Sequence, residues 1–227
     1  MRIIKYAFSI LALVLFVSVG LSPSTAEAAG PNPVVIMDTS MGRIIVMLYP
    51  KSAPKTVENF LKYVDTGFYD KTIFHRVVRM EMMDVKDARR QQSYNIVQGG
   101  GFDYPMKEKR PLWDPVINED MGALNNTTGT IAMARRGHPN SATNQFFFNL
   151  TNNTSLDPMV INKKKWAGVK QDKDDGKELR HGYCAFGKVI RGWDIVEKIH
   201  KVPTATYGKY TNVPKSPVFI KKVYRAK

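Results

Sequence analysis

Short apolar runs separated by turn residues dominate the pattern along the chain and predict a mainly β structure. The runs read KTIFHRVV, YNIVQGGGF, GTIAMA, NQFFFNL, GYCAFGKVI and SPVFIKKVYRA, with Gly, Asn and Pro between them. Near the start, NPVVIMDTSMGRIIVMLYP holds two strand-like runs around a Ser-Met-Gly turn, which is the pattern of a β-hairpin. A parallel sheet would need helices between successive strands, and the pattern lacks them. We therefore expect an all-β barrel or sandwich.

Helical spacing occurs in only two segments. In KSAPKTVENFLKYVDTGFY, four apolar residues recur at i, i+3, i+4 and i+7: Val57, Phe60, Leu61 and Val64. Pro54 suits the first turn of a helix, and Gly67 suits a C-terminal cap. The second segment is GWDIVEKIH, whose isoleucines and valine share one face. These segments predict two helices packed on the β structure.

Two long polar segments lack any apolar periodicity and are predicted to be surface loops. They run from Arg79 to Ser93 and from Pro158 to Leu179, so we place inserted loops near 79–94 and 158–180. Loops of this length in a compact domain are usually functional or mobile. No repeat or linker divides residues 29–227, which we expect to form one domain.

The first 28 residues have the composition of a secretory signal peptide. MRIIKY is basic, AFSILALVLFVSVGL is an unbroken apolar run, and Ala26 and Ala28 form an A-x-A pattern. The alternative is an uncleaved anchor, but a spanning helix needs about 20 apolar residues and this run is shorter. We therefore expect cleavage after Ala28, no stable membrane anchor, and an exported protein that is periplasmic or extracellular.

The net charge and the cysteine content limit which partners the protein can bind and how its fold can be stabilised. The chain has 227 residues, a formal net charge of +14 and one cysteine, Cys184. A single cysteine forms no intramolecular disulfide, so stability must come from the core. The basic residues are spread out and often lie beside acids, as in VKQDKDDGKELR. This favours a solvated basic surface over a nucleic-acid site.

Common catalytic signatures are absent from the sequence. The four histidines, at positions 75, 138, 181 and 200, lack metal-ligand spacing, and one cysteine cannot build a thiolate cage. There is no G-x-S-x-G elbow and no P-loop, and no helix follows the GGGF stretch. We therefore expect no metal and no cofactor, and we exclude most hydrolases and nucleotide enzymes.

Three polar residues lie inside otherwise apolar runs and need hydrogen-bonding partners if they are buried. Arg76 lies in TIFHRVV, Gln98 follows NIV, and Gln145 precedes FFFN. Strict alternation places Arg76 on the same face as Phe74 and opposite His75. Each residue alone is explained by a strand edge or by bonds to main chain. Together they also fit a hydrogen-bonding floor beside aromatic residues.

Much of the chain resembles the cyclophilins, which are peptidyl-prolyl cis-trans isomerases, and in particular their exported bacterial branch. The matching stretches are APKTVENFLKYVDTGFYDKTIFHRVV, VQGGGF, GTIAMAR, NSATNQFFFNL, SLD, GYCAFGKVIRGWDIVEKI and VPKSPVFIKK, in family order from about Val34 to Lys222. The resemblance implies an eight-stranded antiparallel β-barrel capped by two α-helices. It also implies isomerisation of X-Pro bonds in proline-containing polypeptides.

The resemblance further implies roles for individual residues. Arg76 corresponds to the catalytic arginine, and Gln98 to the glutamine that orients it. The substrate-binding positions are Ile96, Met133, Ala134, Arg135, Gln145, Phe147, Leu156 and Tyr183. The expected clients are unfolded exported proteins, and the expected state is a monomer. The alternative is a non-catalytic peptide-binding or chaperone module on the same barrel.

The chain departs from the family in the connection between FHRVV and QGGGF. The long segment replaces a short link, and Asn95 stands where the family has a pocket phenylalanine. Ile96 stands at the position of a family methionine. We expect Tyr94, or one of the methionines at positions 80, 82 and 83, to fill the gap, because methionine adapts to irregular spaces.

Ser155 is the second departure and predicts weak binding of cyclosporin. It directly precedes Leu156, at a position where the family has tryptophan or another aromatic residue that contacts this ligand. Because an aromatic ring supplies much of the buried contact area at such a position, its loss lowers affinity. Titration of the protein with cyclosporin should give a dissociation constant in the micromolar range or weaker. A submicromolar value would contradict this expectation.

Overall fold

The computed structural model describes residues 31–79, 94–162 and 177–227. The predicted signal peptide and most of both predicted loops lie outside these residues. The strands are β1 Val34–Thr39, β2 Gly42–Leu48, β3 Thr72–Val78, β4 Ile96–Asp103, β5 Lys107–Glu108, β6 Thr130–Met133, β7 Phe146–Asn149, β8 Met159–Asn162, β9 Lys177–Arg180, β10 Ala185–Arg191, β11 Thr204–Tyr207, β12 Tyr210–Pro214 and β13 Phe219–Arg225. The helices are α1 Pro54–Asp65 and α2 Trp193–His200, and a short 3-10 helix covers Thr154–Leu156.

Eight antiparallel strands close into a barrel. Their order is β3-β13-β1-β2-β10-β6-β7-β4, and β4 pairs back onto β3. Strand β5 extends one edge, while β8–β9 and β11–β12 form separate hairpins. The expected eight-stranded barrel is confirmed, as is the β1–β2 hairpin.

One large apolar core unites the barrel interior with the two helices. Phe60 of α1 packs its ring against Phe146 and Phe186 of the strands at centroid distances of 5.7 and 5.1 Å. Val196 and Ile199 of α2 are fully buried in the same core. Both helices therefore lie where the 3.6-residue pattern predicts, with their apolar faces on the barrel.

Helix α1 receives its N-terminal cap from a distant loop. Ala53 precedes the helix and has no side chain that can cap it. Instead, the Glu119 carboxylate accepts hydrogen bonds from the backbone N–H groups of Lys55 and Thr56, at 3.0 and 2.8 Å. Negative charge is favourable at this end of a helix. The cap fixes the loop that leads towards β6.

The prediction of a plain loop at 158–180 is wrong at both of its ends. Strands β8 and β9 pair antiparallel, from Met159 opposite Arg180 to Asn162 opposite Lys177. The apolar run Met159-Val160-Ile161 is too short for a clear periodic signal, yet it suffices for a two-stranded arm. Among the described residues, no helix has the length and apolar character that a membrane span requires.

Candidate active site

A bulge in strand β3 sets the direction of Arg76. Phe74 lies opposite Gly99 of β4 and Arg76 lies opposite Gln98, so two residues of β3 advance against one of β4. Phe74 therefore lies in the barrel core, whereas Arg76 is half-buried on the outer face. The prediction that strict alternation places Arg76 with Phe74 is wrong, because the extra residue breaks the alternation.

A chain of side-chain amides holds the Arg76 guanidinium. Its Nη1 donates to Oε1 of Gln98 at 3.2 Å, and Gln98 Nε2 donates to Oε1 of Gln145 at 2.9 Å. Nη2 of Arg76 donates to the Tyr94 hydroxyl at 3.2 Å. No carboxylate among the described residues forms an ion pair with this arginine. Its position is fixed by neutral groups, and no described carboxylate offsets its charge.

The glycines of QGGGF make room for this chain. A Cβ on Gly101 would lie 2.5 Å from Cδ of Gln145, which real structures do not tolerate. Gly100 has a φ of +82°, and a Cβ there would lie 2.8 Å from the rings of Phe146 and Tyr69. The glycines therefore allow strand β4 to approach both the core and the amide chain closely.

One row of residues crosses the outer face of five neighbouring strands. Arg76 pairs with Gln98, Gln98 with Phe147, Phe147 with Ala132, and Ala132 with Ala185. The last three belong to a small apolar cluster that is separate from the barrel core. The sheet register thus places a cation, an amide and an apolar surface side by side.

A cavity of about 120 Å³, the central cavity, opens on this row. Eight of the ten predicted site residues line it: Arg76, Ile96, Gln98, Ala134, Arg135, Phe147, Leu156 and Tyr183. Tyr94, one of the four candidates to fill the gap in the pocket, also lines it. The other three candidates, the methionines at positions 80, 82 and 83, lie outside the described residues. The Phe147 and Tyr183 rings meet edge to face, with centroids 5.6 Å apart.

The other two predicted residues lie elsewhere. Gln145 lines an adjoining cavity of about 90 Å³, the side cavity, and reaches the central cavity only through its bond to Gln98. The prediction for Met133 is wrong, because its side chain is 2% exposed and lies in the barrel core. Since side chains alternate along β6, its neighbours Ala132 and Ala134 lie on the outer face instead.

Arg135 fixes the segment that carries Tyr183. Its guanidinium donates to the carbonyls of His181 and Gly182, at 2.8 and 3.0 Å, and its Cζ lies 4.6 Å from the centroid of the Tyr183 ring. The buried Asp120 carboxylate accepts the Gly182 N–H at 2.6 Å. This wall of the central cavity is therefore rigidly supported, which is a role that the sequence did not assign to either residue.

A buried asparagine network supports the chain segments around the central cavity. Asn149 Nδ2 donates to Asn126 Oδ1 at 3.1 Å, and Asn153 Nδ2 donates to Asn149 Oδ1 at 2.7 Å. Asn126 also donates to the Tyr183 carbonyl at 2.9 Å, and Asn153 Oδ1 accepts the Asn95 N–H at 3.1 Å. From the sequence, asparagine was expected only as a turn residue between the apolar runs. The asparagines instead join the chain segments that border the central cavity.

His75, the bulge residue beside Arg76, is buried as a neutral ring. It is 5% exposed and stacks on Phe102 with ring centroids 4.4 Å apart. Burial, and then the charge of Arg76, lower the pKa of His75 to about 3. The imidazole therefore adds no second charge to the groove at neutral pH.

The chemistry available at the central cavity is hydrogen-bond donation beside an apolar pocket. The Arg76 guanidinium is a fixed cation at the edge of a surface built from Phe147, Leu156 and Ile96. Among residues 31–79, 94–162 and 177–227, no three metal-ligating side chains come together. The site suits a neutral, compact apolar group with an acceptor atom next to it.

The low pKa of His75 predicts that part of the free energy of unfolding depends on pH. Replacing this histidine should remove that part. An unfolded histidine binds a proton below about pH 6.5, whereas the folded one does not until about pH 3. The free energy of unfolding should therefore fall as pH decreases through this window, by up to about 1.4 kcal/mol per pH unit. His75→Phe keeps the ring and should lose this component.

Urea unfolding of the wild type and His75→Phe near neutral pH and near pH 5 tests this expectation. The wild type should lose about 1–2 kcal/mol more than the variant between the two conditions. Equal losses would contradict the buried neutral state of His75. The test compares how much the free energy of unfolding of each protein changes between the two pH values. A variant that is less stable at both pH values therefore does not affect the result.

Comparison with known proteins identifies relatives over nearly the whole described chain. The family model for "Cyclophilin type peptidyl-prolyl cis-trans isomerase/CLD" matches residues 34–225. A peptidyl-prolyl cis-trans isomerase of Acinetobacter baylyi is 42% identical over 189 residues, which are 83% of this chain and 83% of that protein. Peptidyl-prolyl cis-trans isomerase A of Dickeya dadantii is 37% identical over 96% of this chain and 94% of its own length. Peptidyl-prolyl cis-trans isomerase B of Escherichia coli is 38% identical over 83% of this chain and 97% of its own.

Solved structures agree on the fold. A cyclophilin-type peptidyl-prolyl cis-trans isomerase from Cryptosporidium parvum superposes with a TM-score of 0.55 at 22% identity, covering 86% of this chain and 98% of that one. The same Cryptosporidium protein in the presence of the dipeptide Ala-Pro gives a TM-score of 0.54. At this identity the likeness supports the barrel and nothing finer.

Proposed function

The chain belongs to the family of cyclophilin-type peptidyl-prolyl cis-trans isomerases and is such an isomerase, and we propose that Arg76 is its catalytic group. One observation carries this proposal. A guanidinium without an ion-pair partner among the described residues is held by neutral amides at the rim of a small apolar cavity. The cavity suits a pyrrolidine ring, and the guanidinium then lies beside the bond that rotates.

The mechanism follows from the electronic structure of the amide. Resonance gives the C–N bond partial double-bond character and a rotation barrier of about 18–20 kcal/mol. In the twisted state this resonance is lost, and the proline nitrogen gains a localised lone pair. An N–H of Arg76 that donates to this lone pair stabilises the twisted state more than either planar isomer. The barrier falls because binding is selective for the transition state.

The other site residues hold the arginine and the substrate in place. Gln98, supported by Gln145, orients the guanidinium, so that little reorganisation is needed when the bond twists. Phe147, Leu156 and Ile96 surround the ring of the substrate proline. The main chain from Ala134 to Arg136 binds the extended peptide, and Tyr183 closes the wall opposite Arg76.

We further propose that the substrates are exported proteins whose folding waits on X-Pro isomerisation. Uncatalysed isomerisation takes tens to hundreds of seconds, which is slow enough to limit folding. The support is the basic, apolar and A-x-A pattern of residues 1–28. Mass spectrometry of the protein recovered from an expressing bacterium should show a chain that begins at Ala29. A chain that begins at Met1 in the cytosolic fraction would contradict export.

Weak cyclosporin binding and a monomeric state are also part of the proposal. Ser155 lies in the 3-10 helix next to Leu156, where an aromatic side chain would extend the groove. Its hydroxyl is buried, and no residue in the described part of the chain forms a hydrogen bond with it. Serine at this position therefore gives the groove less apolar surface than an aromatic residue would.

Removal of the Arg76 guanidinium should abolish most catalysis while the barrel stays folded. Arg76→Ala should lower kcat/KM for an Ala-Pro test peptide by roughly 100- to 1,000-fold, because the donor to the twisted nitrogen is lost. The measurement is a protease-coupled assay with a circular dichroism spectrum of each protein. The matched control is Arg43→Ala, which removes an exposed arginine on β2 that pairs with Asp38. The control should retain wild-type turnover, and retention by Arg76→Ala as well would contradict the assignment.

A further inference from the structure

A further cleft is lined in part by Arg76 and shares no lining residue with the side cavity. It has a volume of about 180 Å³ and is lined by His75, Arg76, Met106, Lys209, Tyr210 and Thr211. We call it the hairpin cleft, because half of its wall belongs to the turn and second strand of the β11–β12 hairpin. Arg76 lines both this cleft and the central cavity, so the two spaces adjoin at this residue.

We propose that the hairpin cleft binds an acidic side chain of the substrate, close in sequence to the proline. This inference rests on the proposed function of the central cavity and adds a preference in substrate sequence. A peptide with its proline in the central cavity is extended, and its neighbouring residues then lie on either side of Arg76. One of these neighbours reaches the hairpin cleft.

The charges in the cleft favour a carboxylate. Two of its six lining residues, Arg76 and Lys209, are cations, and none is acidic. Within the described part of the chain, neither cation forms an ion pair. The Lys209 ammonium lies 5.3 Å from the centroid of the Tyr210 ring, which holds the lysine at the cleft without neutralising it. A carboxylate between two such cations gains charge-assisted hydrogen bonds.

The walls of the cleft are fixed before any ligand binds. The Phe102 ring packs against His75 on one side and Tyr210 on the other, with centroid distances of 4.4 and 5.2 Å. Gly208 has a φ of +55° in the turn that presents Lys209, and Asn212 of strand β12 has a φ of +60°. The preorganised walls reduce the entropic cost of binding a side chain there.

His75 contributes a neutral ring to the wall of the cleft. The ring is buried against Phe102, and its low pKa keeps it uncharged near neutral pH. The cleft therefore combines two cations with a wall that adds no further charge.

The test uses peptides that differ in one charge beside an Ala-Pro bond. Glu, Lys or Ala is placed in turn on the N-terminal and the C-terminal side of the Ala-Pro pair, and kcat/KM is measured by NMR exchange. On one of the two sides the wild type should prefer Glu over Lys by about two- to fivefold, the range expected of a partly exposed ion pair. Raising the salt from about 0.05 M to about 0.5 M should reduce the preference.

Substitution at the hairpin decides whether the cleft causes this preference. Lys209→Glu should abolish or reverse the preference for Glu, and Lys209→Met should lower the Glu-over-Lys ratio towards one. Lys51→Glu is the matched control, because it makes the same charge change at an exposed residue that does not line the cleft. It should keep the wild-type ratio.

The possible failures are distinguishable. No turnover of the neutral Ala peptide by the wild type would overturn the proposed function itself. Turnover of that peptide with a Glu-over-Lys ratio of one on both sides would overturn the hairpin cleft alone. An equal loss of preference in Lys51→Glu and Lys209→Glu would also overturn it, because the net charge of +14 would then be the cause.

Discussion

One extra residue in strand β3 is the constraint on which the rest of the site depends. Phe74 must lie in the barrel core and Arg76 on the outer face, and without the bulge at His75 both would lie on one face. The bulge costs a regular pair of ladder bonds, and the stacking of His75 on Phe102 offsets part of that cost. Core packing and the position of the guanidinium are therefore fixed by the same local distortion.

The partners of Arg76 explain why the barrel holds a cation that remains available. A carboxylate at position 98 would bind the guanidinium tightly and compete with a substrate for its N–H groups. An amide orients the same group through one hydrogen bond and leaves the charge in place. Gln145 fixes the Gln98 amide through a hydrogen bond. Gly101, which has no side chain, leaves the space that the Gln145 side chain occupies. Gly101 thus affects the reacting bond indirectly, through Gln145, Gln98 and Arg76.

The sequence predicted the barrel and both helices because turn residues and apolar periodicity are local signals. Eight of the ten predicted site residues line the central cavity, and they were predicted only through resemblance, since their meeting depends on the register of five strands. Met133 was misplaced because a motif assigns a segment to a site, whereas alternation decides which side chain faces it. The bulge at His75 and the asparagine network had no local signal. Asparagine favours turns and buried networks alike, and only the burial of Asn126 and Asn149 distinguishes them.

The claim that Gln98 acts through Arg76 is the centre of this account, and a double-mutant cycle measures it directly. Arg76→Ala, Gln98→Ala and the double variant are compared with the wild type by NMR exchange on one Ala-Pro peptide. Gln98→Ala should lower kcat/KM clearly in the wild type and hardly at all once Arg76 is absent. The coupling free energy should then be at least about 1 kcal/mol. Losses that simply add would show that the two residues act independently, and would contradict the account.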